Sequence, residues 1–256
     1  MKIRSSIITS LIIVILTVIA LLGLDRYGNS SRVIGPVGTL QSSNIVKKQV
    51  EEPKEAYRIW REAGYRGRTI VFVADRWESF DPGELIPAQM FRAYPLQLYN
   101  TAKLLEDEYL NGTTFLYVAS LNKVIRKIVA IMPDSEVKRL GAMARKTKDF
   151  KVSDKGVYVT RQGFPRWYTT GANFADVGEP VLLYVGASYF KNAEPEDLFR
   201  HITKSGLSTD CVILSNEKGK DTVTPREVAK LNAFAQLVGV TPSSAVSGVS
   251  SSLTKK

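Results

Sequence analysis

Residues 181–214 read VLLYVGASYFKNAEPEDLFRHITKSGLSTDCVIL and contain the unit that decides the fold. Two compact apolar runs, at residues 181–185 and 211–214, predict buried strands. A helix is predicted between them over residues 195–205, because Pro195 stands at its start and Glu196 and Asp197 in its first turn. Strand, helix and strand in this order predict a right-handed βαβ crossover of an α/β protein.

The same alternation extends towards both ends of the chain. Apolar, β-branched runs predict further strands at residues 68–74 and 124–131, and Thr224, Pro225 and Glu227 predict a capped helix that ends near residue 237. Three more helical segments are predicted, at residues 88–110 with an interruption at Pro95, 115–119 and 135–145. Residues 150–169 predict antiparallel strands. The expected fold is α/β, a mostly parallel sheet flanked by helices with an antiparallel hairpin insertion, preceded by one transmembrane helix.

Residues 7–24, IITSLIIVILTVIALLGL, carry no charge and predict that transmembrane helix. Eighteen residues at the helical rise span about 27 Å, close to the hydrocarbon thickness of a bilayer. Lys2 and Arg4 precede the run, which favours a cytoplasmic N-terminus and an extracytoplasmic C-terminal domain in the cell membrane. A cleaved signal peptide is the alternative, although no small-x-small cleavage site stands at the end of the run.

Composition divides the chain into an anchor at residues 1–26, a flexible stalk at 27–54, the α/β domain at 55–240 and a disordered Ser-rich tail at 241–256. The net charge of +10 lies largely in the two arms, since residues 1–54 hold seven Lys or Arg against three Asp or Glu. Basic arms beside a membrane contact anionic lipid, so no nucleic-acid partner is expected. The sequence leaves the oligomeric state open.

The catalytic inventory is small. The one histidine, His201, falls in a predicted helix, and no nucleophile elbow or phosphate-binding glycine loop occurs. The one cysteine, Cys211, falls in a predicted buried strand and is expected to be a core residue rather than a nucleophile.

The densest polar cluster follows the strand at residues 68–74, where an α/β sheet places its ligand crevice. Asp75 could pair with Glu78 or Asp81 for acid and base chemistry, and Trp77 could stack on a sugar. A solvated loop is the alternative. The candidate ligand-binding residues, including two from the late strand, are Asp75, Arg76, Trp77, Glu78, Ser79, Ser188 and Tyr189.

The early strand that ends in Asp75-Arg-Trp-Glu-Ser79 and the late strand that runs into Val185-Gly-Ala-Ser-Tyr-Phe190 resemble the arginase/deacetylase-type α/β fold over residues 66–238. That family ends its early strand with Asp-x-His-x-Asp and its late strand with Asp-x-Asp, and these side chains hold one or two divalent metals. Asp75 matches the first aspartate. The other four positions carry Trp77, Ser79, Gly186 and Ser188.

These departures imply a relative with a degenerate metal site, because a divalent ion needs several carboxylate or imidazole ligands. No metal or other cofactor is expected, and without a metal-activated water the hydrolysis of the family is lost. The sequence thus favours a binding or scaffolding domain of the cell envelope, with an envelope protein or glycan as partner. An envelope glycan hydrolase and an accessory subunit of a membrane complex are the alternatives.

The charge asymmetry about residues 7–24 generates a prediction of topology. A reporter that is active only outside the cytoplasm, fused after Thr241, should be active, because the basic N-terminus is retained in the cytoplasm. Activity of a cytoplasmic reporter at the same position would contradict the orientation. A mature N-terminus near Asp25 would identify a cleaved signal.

Overall fold

One mixed sheet organises the part of the chain that the structure describes. A computed structural model describes residues 33–75, 110–145, 150–159 and 164–241. Over these residues eight strands form a single sheet in the order β1-β8-β7-β2-β3-β6-β5-β4. The strands are β1 (Val46–Val50), β2 (Arg68–Val73), β3 (Ile125–Ile131), β4 (Phe150–Ser153), β5 (Gly156–Val159), β6 (Arg166–Thr169), β7 (Val181–Gly186) and β8 (Thr209–Ser215).

Neighbouring strands from β1 to β6 in this order are parallel, and β5 pairs antiparallel with both β6 and β4. The α-helices of the described residues are α1 (Pro53–Glu62), α2 (Phe115–Leu121), α3 (Asp134–Ala144), α4 (Pro195–Ser205) and α5 (Pro225–Leu237), and a 3₁₀ helix (Ala187–Lys191) follows β7. The predicted α/β class, the mostly parallel sheet and the antiparallel hairpin are confirmed.

Helices cover both faces of the sheet. Alternate residues of β2 point to opposite cores: Ile70 and Phe72 pack with α1, α2 and α3, whereas Val71 and Val73 pack with α4, α5 and the 3₁₀ helix. Every residue of β2, β7 and β8 is buried. Strands covered on both faces have continuous apolar sequences, which is why these runs were recognisable without any alternation.

The helices confirm the local signals. Helix α4 has the predicted bounds, and Gly206 ends it in the left-handed conformation that glycine adopts without a steric penalty. Helix α5 begins at the predicted capping box. The Thr224 side chain accepts the backbone N–H of Glu227, and the Glu227 side chain accepts the backbone N–H of Thr224. The segment 115–119, predicted as a helix, forms α2.

The structure differs from the predicted stalk over residues 33–54. Strand β1 pairs with β8 at one edge of the sheet, helix α1 already begins at Pro53, and Leu40 is buried. The lysines at positions 47 and 48 interrupt the apolar pattern, so the sequence did not predict this strand. They are tolerated there because an edge strand keeps part of its surface in solvent. The Lys47 ammonium donates to the carbonyl of Val238 at 2.6 Å, so even this charge has a partner in the fold.

Residues 1–32, with the predicted transmembrane helix, lie outside the described residues, as do residues 76–109 and the tail from residue 242. Within the described segments, none of the helices combines the length and the apolar character that crossing a bilayer requires.

A buried ion pair joins the amino ends of two central strands. Arg68 of β2 donates to both carboxylate oxygens of Asp210 in β8, at 2.7 and 2.8 Å, and both side chains are 0% exposed. Arg68 also donates to the carbonyl of Pro180 at 2.8 Å, and Asp210 accepts the backbone N–H of Ile34 at 3.1 Å. The pair thus ties four separate segments together.

Replacing Arg68 by methionine should lower the free energy of unfolding by about 3 to 5 kcal/mol, because the Asp210 carboxylate is left buried without its cation. The matched control is Arg200→Met, since Arg200 pairs with Asp197 on the surface and should contribute less than about 1 kcal/mol. Urea unfolding of both variants measures the difference. Equal stabilities would show that the buried pair contributes no more than a surface pair.

Candidate functional site

The carboxyl ends of β2 and β7 define the switch point of the sheet. The chain leaves β2 towards β3 on one side, and α2 packs on the sheet face that carries Ile70 and Phe72. The chain leaves β7 towards β8 on the other side, through α4, which packs on the sheet face that carries Val71 and Val73. Neighbouring parallel strands whose connections diverge in this way open a crevice beyond their carboxyl ends, where α/β proteins bind ligands.

Four polar side chains meet at this switch point. The Lys220 ammonium donates to a carboxylate oxygen of Asp75 at 3.1 Å, to the Ser188 hydroxyl at 3.2 Å and to a carboxylate oxygen of Glu217 at 3.2 Å. The Ser188 hydroxyl also accepts the backbone N–H of Asp75 at 3.4 Å. Asp75 follows β2, Ser188 follows β7, and Glu217 and Lys220 follow β8, so three adjacent strands contribute to one cluster.

Glu217 is the most constrained member of this cluster. Its side chain is only 2% exposed, and its carboxylate accepts the backbone N–H of Ser188 at 2.6 Å. A Cβ atom at Gly186 would stand 2.6 Å from this carboxylate, so a larger residue at the end of β7 would displace the Glu217 side chain from its present position. Glu217 itself has a φ of +52°, a backbone conformation that non-glycine residues rarely adopt and that often marks a functional site.

A cleft of about 280 Å³ lies beside the cluster, at the ends of β2, β3 and β7. Asp75 belongs both to the cluster and to the lining of the cleft. Helix α3 contributes its first turns, and Arg139 on this helix donates two hydrogen bonds to Glu136 at 2.7 and 3.1 Å. Among the described residues, the lining consists of Asp75, Pro133, Ser135, Glu136, Arg139, Lys191 and Asn192.

The contacts limit what this arrangement does chemically. Ser188 and Lys220 lie at the distance of a serine–lysine dyad, but a lysine that serves as a base needs a free lone pair. Here Lys220 is the donor in its contacts with two carboxylates and the Ser188 hydroxyl. The described side chains that line the cleft are polar or charged, apart from Pro133.

The structure brings two of the predicted site residues together, Asp75 and Ser188. Arg76, Trp77, Glu78 and Ser79 lie outside the described residues. Tyr189 lies elsewhere than predicted. Its ring packs in the core between the sheet and helices α4 and α5, edge-on against Phe190. Burial there raises the pKa of its hydroxyl to about 12. The 3₁₀ turn after β7 explains this, because it directs consecutive side chains to different sides.

Sequence reasoning missed Glu217 and Lys220. They belong to a polar segment, Asn216-Glu-Lys-Gly-Lys220, that has the composition of a solvated loop. The one available signal was its position directly after a buried strand, the same signal that identified Asp75. No group of three or more His, Cys, Asp or Glu side chains suited to a metal ion occurs within the segments that the structure describes.

No protein-family model matches the chain, and no curated protein or solved structure matches it either. The arginase/deacetylase resemblance therefore stays a prediction.

Cys211 lies in β8 and is fully buried, as predicted. Burial raises the pKa of its thiol to about 12, so the neutral thiol persists throughout the physiological range. Because the thiolate is the nucleophile, native protein at pH 8 should not react with Ellman's reagent. Urea-unfolded protein should react through Cys211 and release one equivalent of the reagent's coloured thiolate. Rapid reaction of the native protein would contradict a core position for Cys211.

Proposed function

We propose that the α/β domain binds a small polar ligand in the cleft at the carboxyl ends of β2, β3 and β7. The observation that carries this proposal is the coincidence of a cleft with the switch point of the sheet, with Asp75 at the meeting of the two. A volume of about 280 Å³ suits one sugar ring or one amino acid rather than a polymer segment.

The lining offers both kinds of hydrogen-bonding group. Asp75 and Glu136 are acceptors for ligand hydroxyl or amino groups, and Arg139 and Lys191 are donors for ligand oxygens. Asn192 supplies one of each. A ligand with several hydroxyl groups, or with an amino and a carboxyl group, complements this mixture better than an apolar or singly charged molecule.

Binding is favoured over hydrolysis by the partners of the two carboxyl groups. Asp75 accepts from the Lys220 ammonium and Glu136 accepts from the Arg139 guanidinium. A glycosidase needs one carboxyl group that is placed to donate a proton to the leaving group, whereas each of these two carboxyl groups accepts hydrogen bonds from a neighbouring cationic side chain. Both groups are thus suited to holding a ligand in place.

Hydrolysis of an envelope glycan is the second candidate, because two carboxyl groups, Asp75 and Glu136, line one cleft. The partners of Asp75 in the sequence-based hypothesis, Glu78 and Asp81, lie outside the described residues. In both candidates the domain is a membrane-anchored component of the cell envelope, held by residues 7–24 with its C-terminal domain outside the cytoplasm. The uncharged run of residues 7–24 supports this part of the proposal.

The resemblance to the arginase/deacetylase-type fold is part of the same proposal. Asp75, which opens the first quoted motif, follows β2, and Val185 and Gly186, which open the second, end β7; these two strands are neighbours in the sheet. A binding domain derived from that fold, with serine, glycine and tryptophan in place of metal ligands, is consistent with this placement. An accessory subunit of a membrane complex would use the same domain as a contact surface.

A thermal-shift screen of the full-length chain with monosaccharides, amino sugars and single amino acids tests the proposal. Asp75→Asn should weaken binding of any hit by about 1 to 3 kcal/mol, because it removes a charged acceptor from the cleft. Asp176→Asn, an exposed carboxylate outside the cleft lining, should leave affinity unchanged.

Hits that both variants bind equally well would place the ligand elsewhere and overturn the proposal. Hydrolysis of an envelope glycan that Asp75→Asn abolishes, with binding retained, would establish the enzyme instead.

A further inference from the structure

The Lys220 ammonium lies among three side-chain oxygens that come from the ends of three adjacent strands. Its distances to the oxygens of Asp75, Ser188 and Glu217 are 3.1, 3.2 and 3.2 Å. Three acceptors at nearly equal distances match the three N–H donors of an ammonium group. These distances are those of N–H···O hydrogen bonds, and they exceed the 2.0 to 2.6 Å or so at which Mg²⁺ and Ca²⁺ contact oxygen.

Two of the three oxygens, those of Glu217 and Ser188, have partners other than the lysine. Glu217 is held by the backbone N–H of Ser188 at 2.6 Å, in space that Gly186 leaves open. Ser188 is fixed by the backbone of Asp75 and by its place in the 3₁₀ helix. Lys220, by contrast, reaches the group through a flexible side chain from the segment that follows β8. Glu217 and Ser188 thus form the preorganised part of the site, and the lysine is the group that enters it.

We propose that Asp75, Ser188 and Glu217 form an ammonium-binding site that Lys220 fills as an intramolecular ligand. The charge balance supports this assignment. A carboxylate that is 2% exposed needs a cation, and the Glu217 carboxylate has that cation at 3.2 Å. The ligand class of the vacant site is a primary ammonium, because the acceptors are arranged for N–H donors.

This inference goes beyond ligand binding in the cleft, since it needs no molecule there. It also gives Lys220 the role of a positioning residue: the ammonium contacts Asp75, which lines the cleft. Removing the ammonium should disturb Asp75 while the cleft wall formed by α3 stays in place.

Chemical rescue of Lys220→Ala in the full-length chain tests the site. Its melting temperature should fall below that of the wild type, and methylammonium chloride at tens of millimolar should raise it by several degrees with saturation, because a ligand that binds only the native state stabilises it by mass action. Tetramethylammonium chloride, which has no N–H donor, should give no such rise at equal ionic strength.

The matched control is Lys218→Ala, which removes an exposed lysine from the same segment. Neither this variant nor the wild type should respond to methylammonium beyond its response to tetramethylammonium. An equal response of all three proteins, or no specific rescue of Lys220→Ala, would overturn the proposal. So would a larger stabilisation of Lys220→Ala by MnCl₂ than by methylammonium, because the site would then be a metal site.

A second measurement, of lysine acetylation in the wild type and in Glu217→Gln, does not depend on whether Lys220→Ala folds. Limited acetylation followed by mass spectrometry should modify Lys220 more slowly than Lys218, and Glu217→Gln should increase acetylation of Lys220 severalfold without changing that of Lys218. This substitution nearly keeps the shape of the side chain, removes its charge and replaces one acceptor oxygen with an N–H donor group. Unchanged acetylation of Lys220 in Glu217→Gln would contradict the ammonium site.

Discussion

The central strands β2, β7 and β8 are buried on both faces, and this constraint decides where charged groups lie in the domain. A charge in the middle of such a strand would be removed from water without a partner, at a cost of several kcal/mol or more. Charged side chains are therefore placed at the two ends of the strands. Arg68 and Asp210 stand near the amino ends, and Asp75, Glu217 and Lys220 stand beyond the carboxyl ends.

The two ends solve the same electrostatic problem in different ways. At the amino ends, Arg68 and Asp210 form a bidentate pair that is sealed from solvent, with backbone groups completing the contacts. At the carboxyl ends, one lysine serves two carboxylates, and Asp75 and Lys220 retain 13% and 23% of their side-chain exposure. The sealed pair suits a structural role, because no ligand can reach it. The partly open cluster beside a cleft suits a binding role.

Glu217 combines a strained backbone conformation with a buried side-chain contact. Its backbone has a positive φ and its carboxylate occupies the space that a side chain at position 186 would need. Neither feature adds apolar contacts to the cores, and in this conformation the carboxylate contacts both Ser188 and Lys220. Strained residues of this kind persist where the surrounding structure holds them and commonly belong to functional sites.

The sequence by itself determined the elements whose signals are local. The buried strands β7 and β8, the bounds of α4 and the capping box of α5 follow from apolar runs and from residues within one helical turn. Only the tertiary structure decided that the lysine-containing run of β1 is a strand, since its partner β8 lies far along the chain. It alone joined Lys220 to Asp75, which are 145 positions apart. The reason is physical: hydrogen bonding and hydrophobic periodicity act over a few residues, whereas a site at the ends of adjacent strands exists only after the sheet has ordered them.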